Sequence, residues 1–126
     1  MRKIINVSVH PLIFRGSAVR TDEYVVEGRF AEIMEPEFVP IRFREETKTG
    51  KNGITIVRQI FEPTPEGDRL LKSIETEHPD AIIVGTEEQA RVYPGRIYVP
   101  VPAYNSRPET EDGGIIRYDD RIFRSF

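Results

Sequence analysis

The stretch Pro63-Thr-Pro-Glu-Gly-Asp-Arg-Leu-Leu-Lys-Ser-Ile-Glu-Thr-Glu-His-Pro-Asp-Ala-Ile-Ile-Val-Gly-Thr-Glu-Glu-Gln89 decides the fold class. Thr64 offers an N-cap oxygen, Pro65 fits the first helical position, and Glu66 and Asp68 complement the positive end of a helix. Leu70, Leu71 and Ile74 make a narrow apolar stripe at helical spacing. His78-Pro79 stops the helix, because the residue before a proline disfavours the helical region. Ala81-Ile82-Ile83-Val84 then reads as a strand covered on both faces. Gly85 ends it. Thr86 and Gln89 have capping-box spacing and open one or two helical turns through Val92.

Working back towards the start, the pattern changes to alternation. In residues 3–9, Ile5, Val7 and Val9 share one face at period two, and Ile4, Asn6 and Ser8 take the other, which predicts a strand with one buried side. Residues 23–34 alternate less cleanly, and Gly28 suggests a bulge. Val39, Ile41 and Phe43 alternate with Pro40, Arg42 and Arg44. Residues 45–53 form a polar loop ending in Asn52-Gly53, a strong hairpin signal, and residues 54–61 return as a strand. Residues 38–61 are therefore expected to be an antiparallel hairpin, with Phe43 on the core side.

Towards the end, Pro94-Gly95 marks a turn and Arg96 to Val101 a strand. Pro100 and Pro102 recur at period two, so both missing amide donors lie along one edge, which marks a blunted edge strand. A long polar loop spans 103–114. Ile115 to Tyr118, Asp119-Asp120 and Arg121 to Phe123 suggest a tight terminal hairpin. The expected fold is α+β: a single two-layer domain over residues 1–126. An antiparallel meander and hairpin (about 3–61) joins a helix-strand-short helix-strand unit (about 65–101) and a C-terminal hairpin.

Composition narrows the chemistry. The chain has 126 residues, enough for one modest core, with 38% apolar and 31% charged residues. It has no cysteine, which removes disulfides, thiolate metal sites and cysteine nucleophiles. No apolar run is long enough for a membrane helix, and Asn6 and Ser8 break the only apolar start, so no signal-peptide core and no membrane partner are expected. A cytoplasmic protein is the expectation. The net charge of −3 sets nucleic-acid binding behind other partners. Charge is uneven: residues 1–20 carry four bases and no acid, whereas residues 64–126 carry eight bases and twelve acids. Arginine outnumbers lysine fourteen to four, which favours anion or interface contacts and, with the many prolines, fits a thermophile.

Five constellations are worth weighing. Gly85, Thr86 and Glu87 follow a buried strand and open a helix, where α/β sheets gather ligands. Glu87 and Glu88 sit where a phosphate would lie, so a hydroxyl-bearing or cationic group suits the turn better, and capping explains the residues without a ligand. Tyr104, Asn105 and Arg107 in the long loop offer carboxylate or backbone contacts, and Asp112 joins Glu87, Tyr104 and Arg107 as a candidate for chemistry. The only histidines, His10 and His78, each precede a proline, and neither has the three or four convergent ligands a metal needs, so no metal and no cofactor are expected. Arg42-Phe43-Arg44 with Lys48 and Lys51 interleaves bases with an aromatic, as single-stranded nucleic-acid sites do. No serine has a neighbouring histidine, so no nucleophilic triad and no catalytic residue is assigned.

These readings lean away from an enzyme. The expected function is a non-catalytic binding or assembly module that works through self-association or a larger protein complex. Arg117, Tyr118, Arg121, Phe123, Arg124 and Phe126 are the expected interface, since tyrosine and arginine are common anchors. One alternative is a small-ligand sensor or small enzyme with a pocket between the 84–87 turn and the 103–114 loop. The other is single-stranded nucleic-acid binding through the basic N-terminal residues.

Overall fold

A computed structural model describes residues 2–10, 12–14, 31–34, 37–103 and 117–126. The fold is α+β. Three short strands form a parallel sheet in the order β3-β1-β6, where β1 is Arg2–Asn6, β3 is Ala31–Met34 and β6 is Ile82–Val84. A second sheet has the order β2-β8-β7, with β2 at Ile13–Phe14, β7 at Val99–Pro102 and β8 at Arg117–Arg124. One parallel bridge, Val84 to Tyr98, joins the two sheets. Among the described residues, β4 (Ile41–Thr49) and β5 (Thr55–Pro63) pair only with each other.

The deciding stretch folds as its residues direct. Helix α1 spans Pro65–Glu77, and the Thr64 hydroxyl accepts from the Gly67 amide at 2.9 Å. The same hydroxyl donates to the Pro40 carbonyl at 2.9 Å, which ties the helix start to the chain entering β4. Gly67 is required there, because an added Cβ would run into the Pro40 carbonyl. The His78 amide closes the helix on Ile74. Helix α2 spans Glu87–Val92 with the reciprocal capping box between Thr86 and Gln89 formed.

Both helices cover one face of the parallel sheet. Ile5, Val7 and Ile83 meet Leu71 and Ile74 of α1 and Ala90 and Tyr93 at α2. On the opposite face Ile4 and Val84 pack with Phe14, and Tyr118 and Phe123 lean against this second cluster. The Phe14 ring lies 6.1 Å from that of Tyr118 and 6.4 Å from that of Phe123. A central parallel strand buries both faces, so Ile4 and Ile5 are both interior. Each fully buried side chain of this kind contributes about 1.5–3 kcal/mol.

Several expectations need correction. The N-terminal strand does not belong to an antiparallel meander: β1 pairs parallel with both neighbours, and Val9 lies past its end at 67% exposure. Alternation marks an extended chain but carries no information on the direction of its partner. Residues 45–49 are strand rather than loop, and the turn is confined to Gly50–Ile54, with Asn52 and Gly53 at φ 61° and 73°. Phe43 is 49% exposed and pairs with Phe61 at 5.5 Å instead of entering the core. The C-terminal segment is one strand, not a hairpin. Between the pairs Pro100–Phe123 and Pro102–Tyr118, one residue intervenes on β7 and four on β8. Asp119-Asp120 therefore bulges within the strand, and the Asp119 carboxylate accepts from the Arg121 amide at 2.8 Å. The Gly28 bulge and the 103–114 loop lie, apart from Ala103, outside the described residues.

Candidate functional sites

Two places in the fold expose groups that the core does not use. The first is the gap between β6 and β7. The Tyr98 amide donates to the Ile83 carbonyl at 2.8 Å, and the Gly85 amide donates to the Tyr98 carbonyl at 2.9 Å. The next rung needs an amide hydrogen at residue 100, and proline has none. β7 instead satisfies its other edge against β8, as in the 2.8 Å bond from the Ala103 amide to the Arg117 carbonyl. The two prolines thus align on one edge as the sequence suggested. β7 ends the order of its sheet, so this is its outer edge, and among the described residues only Tyr98, just before β7, bridges from it to β6.

Where the strands part lies a cavity of about 240 Å³. Gly85 and Thr86 line it, joined by Ser8, His10, Pro100 and Tyr118. Asn6 shapes its β1 side. This side chain is 2% exposed; its Nδ2 donates to the His10 carbonyl at 2.7 Å, and its Oδ1 accepts from the Ser8 amide at 3.0 Å and the Ser8 hydroxyl at 2.7 Å. The turn leaving β1 is thereby held by a buried polar group. Gln89 holds the other side. At 1% exposure its Nε2 donates to the carbonyls of Val7 and Val39, both at 2.9 Å, while its Oε1 accepts from the Thr86 amide at 2.9 Å. A single glutamine therefore links the end of β1, the approach to β4 and the start of α2.

Of the ligand residues expected from the sequence, Gly85 and Thr86 meet at this cavity. Glu87 does not line it. Its carboxylate pairs with Arg91 at 2.7 Å and lies 3.7 Å from Arg124, and the hydrogen bond from Arg91 holds its carboxyl below the usual range. Tyr104, Asn105, Arg107 and Asp112 fall outside the described residues. Ser8, His10 and Pro100 were not assigned to a site from sequence. The polar Asn6-x-Ser8 ending of an apolar strand is the signal that points to the first two.

The expected C-terminal interface is only partly free. Tyr118 and Phe123 pack on the second core cluster. Phe126 takes Arg91 over its ring at 4.3 Å and Arg124 at 5.8 Å. Ile122 is exposed, and the backbone of Arg121 is engaged by Asp119. Arg117 also has interaction partners.

The second place is the β4–β5 hairpin, an arm nine residues long on each strand. Its strands rise about 3.3 Å per residue, so it reaches roughly 30 Å. Phe43, Ile54, Ile56 and Val57 are 46–57% exposed along it. Arg42, Arg44, Lys48 and Arg58 share one face, opposite to Phe43, Phe61 and Val57. The bases near the root are occupied: Glu62 accepts from Arg42 at 2.7 Å and from Arg44 at 2.6 Å, and Arg44 also reaches Glu46 at 2.9 Å. These contacts hold the Glu62 carboxyl below, and the Arg44 guanidinium above, their ordinary ranges, through the Arg44–Glu62 hydrogen bond first. Nearer the tip, Lys48, Lys51 and Arg58 make no ion pair with the described residues.

A smaller cavity of about 200 Å³ beside His78 is bordered by Glu75 and Arg96, which pair with each other at 2.5 Å. Among the described residues no three histidine, aspartate or glutamate side chains converge as a metal site would require, and no helix is long and apolar enough to cross a membrane. No protein-family model matches the chain, and neither a curated protein nor a solved structure matches it.

Proposed function

We propose that this chain is a non-catalytic assembly module whose β4–β5 arm docks onto a second copy of the chain. The observation that carries the reading is the arm's exposed apolar side chains: Phe43 and Val57 on one face, Ile56 on the other and Ile54 at the turn, all about half exposed. Several large apolar side chains left exposed on one projecting element mark an interaction surface. A ribbon whose two edges pair with no other strand among the described residues is also a template for further strands.

Charge supports a second copy as the occupant. The arm, residues 41–63, carries five bases and three acids, whereas the rest of the chain carries thirteen bases and eighteen acids. Arm and body therefore attract across molecules and repel like to like. Exposed acids on the body that make no ion pair with the described residues, Glu66, Glu77, Asp80 and Glu88, complement Lys48, Lys51 and Arg58 at the tip.

Sedimentation equilibrium tests this. Association should strengthen with protein concentration and weaken between about 50 and 500 mM salt, as exposed charges become screened. The double substitution Phe43→Ser and Val57→Ser should abolish it while the far-UV circular dichroism stays unchanged. A monomer at every concentration up to about 0.5 mM in low salt would overturn the reading, since any functional self-affinity would register there.

A further inference from the structure

We infer that the cavity at the split between β6 and β7 binds a small, flat, uncharged molecule through two N–H donors, as a cyclic urea or pyrimidine ring offers. The ladder between β6 and the chain entering β7 is interrupted after Tyr98. In a parallel ladder the rung after Tyr98 would run from the residue-100 amide to the Gly85 carbonyl, and from the residue-87 amide back to the residue-100 carbonyl. The first donor is absent because residue 100 is proline. The second belongs to Glu87, the first residue of α2. The carbonyls of Gly85 and Pro100 are thus left facing the gap, and both residues are buried. Buried carbonyls normally have a partner, so two adjacent acceptors with no backbone donor among the described residues call for one from elsewhere.

The surroundings select the rest of the ligand. Leu12, Val99 and Tyr118 supply apolar and aromatic wall, and no carboxylate, lysine or arginine is among the lining residues described. An ionic ligand would find no carboxylate, lysine or arginine counter-charge among these lining residues. The volume corresponds to about eight waters, room for a single ring with its substituents. The turn carrying Ser8 and His10 is pinned by buried Asn6, so the mouth is organised before a ligand arrives. This inference does not depend on the arm or on self-association.

The test uses uracil and 1,3-dimethyluracil, which share a ring but differ in their two N–H donors. In ¹⁵N-¹H correlation spectra of the full chain, uracil should shift the Ser8, Gly85 and Thr86 amides saturably below about 10 mM. Dimethyluracil should bind at least about tenfold more weakly, the equivalent of one lost hydrogen bond. Inorganic phosphate should not shift these amides. Pro100→Ala restores an amide that can close on Gly85, and it should weaken uracil about tenfold without lowering the melting temperature. His10→Ala leaves the interrupted ladder intact and checks the mouth separately, with a smaller loss expected. Equal binding of uracil and dimethyluracil, or no saturable shift with either, would overturn the inference. So would an undiminished uracil response in folded Pro100→Ala.

Discussion

Ile56, Val57 and Ile60 in the arm and Ile82, Ile83 and Val84 in the body are the same residue types in the same kind of secondary structure. Their surroundings are opposite. Ile83 and Val84 are buried on the two faces of a sheet, one against α1 and α2 and the other against Phe14. Ile56 and Val57 sit on the two faces of a ribbon and are about half exposed. β-branched residues favour extended backbone in both places, and what separates them is whether a third element arrives to cover them. The body gains the full transfer of its side chains from water. The arm is held by cross-strand pairs worth about 0.2–1 kcal/mol each, and by its root, where Ile41 packs on the core and Thr64 bonds Pro40. A lone hairpin is marginal in water, so the arm depends on the body.

The contrast can be broken most forcefully at Gln89. Gln89→Leu strips the Val39 carbonyl and the Thr86 amide of the glutamine and leaves the Val7 carbonyl with only its 3.2 Å bond from the Val39 amide, so it should destabilise the body by about 3 kcal/mol or more in urea denaturation. A loss below about 1 kcal/mol would mean that water replaces the glutamine and that this link is dispensable.

Tyr93 gives an intermediate effect and a sign. Its hydroxyl donates to Asp68 at 2.7 Å, and burial, reinforced by Asp68, pushes its pKa up to about 12 from the ordinary 10.0. The neutral phenol is therefore favoured in the folded state. Its contribution is complete below pH 10, the unfolded value, and is lost as pH rises through about 12. Tyr93→Phe should cost about 1 kcal/mol at neutral pH and flatten the loss of stability between pH 10 and 12. An unchanged alkaline profile would show that Tyr93 is not the group responsible.

The smallest effect should come from the largest excision. Replacing residues 43–61 by an Asn-Gly turn retains Ile41, Pro63 and the Thr64 cap. It should move the melting temperature by less than about 4 °C, a change of about 1 kcal/mol for a body of this size. Collapse of the body would show that the arm is structural and would sharpen the comparison in the other direction.

Local chemistry announced much of the architecture. Thr64 and Pro65, the Thr86 to Gln89 box, His78-Pro79 and Asn52-Gly53 each set a boundary through interactions within a few residues, and all of these hold in the fold. Periodicity failed where no face is buried: residues 45–49 are polar yet extended, because their stability comes from the partner strand opposite. It also failed for Asp119-Asp120, whose turn chemistry is spent on a bulge that lets Tyr118 and Phe123 both reach Phe14. At the cavity, the capped turn at Gly85 and Thr86 and the proline edge were visible one by one. Their meeting with Ser8 and His10 was not, because a segment some 75 residues away has to be delivered there by parallel pairing of β1 with β6.

Caps, breakers and the apolar run of β6 act over one turn of chain, so the residues alone settled where the helices begin and end and that one strand is interior. Strand direction, the exposure of the arm and the assembly of the β6–β7 gap were decided only on folding. Each depends on which distant surface reaches a segment first, and side-chain chemistry at that segment does not encode its neighbour.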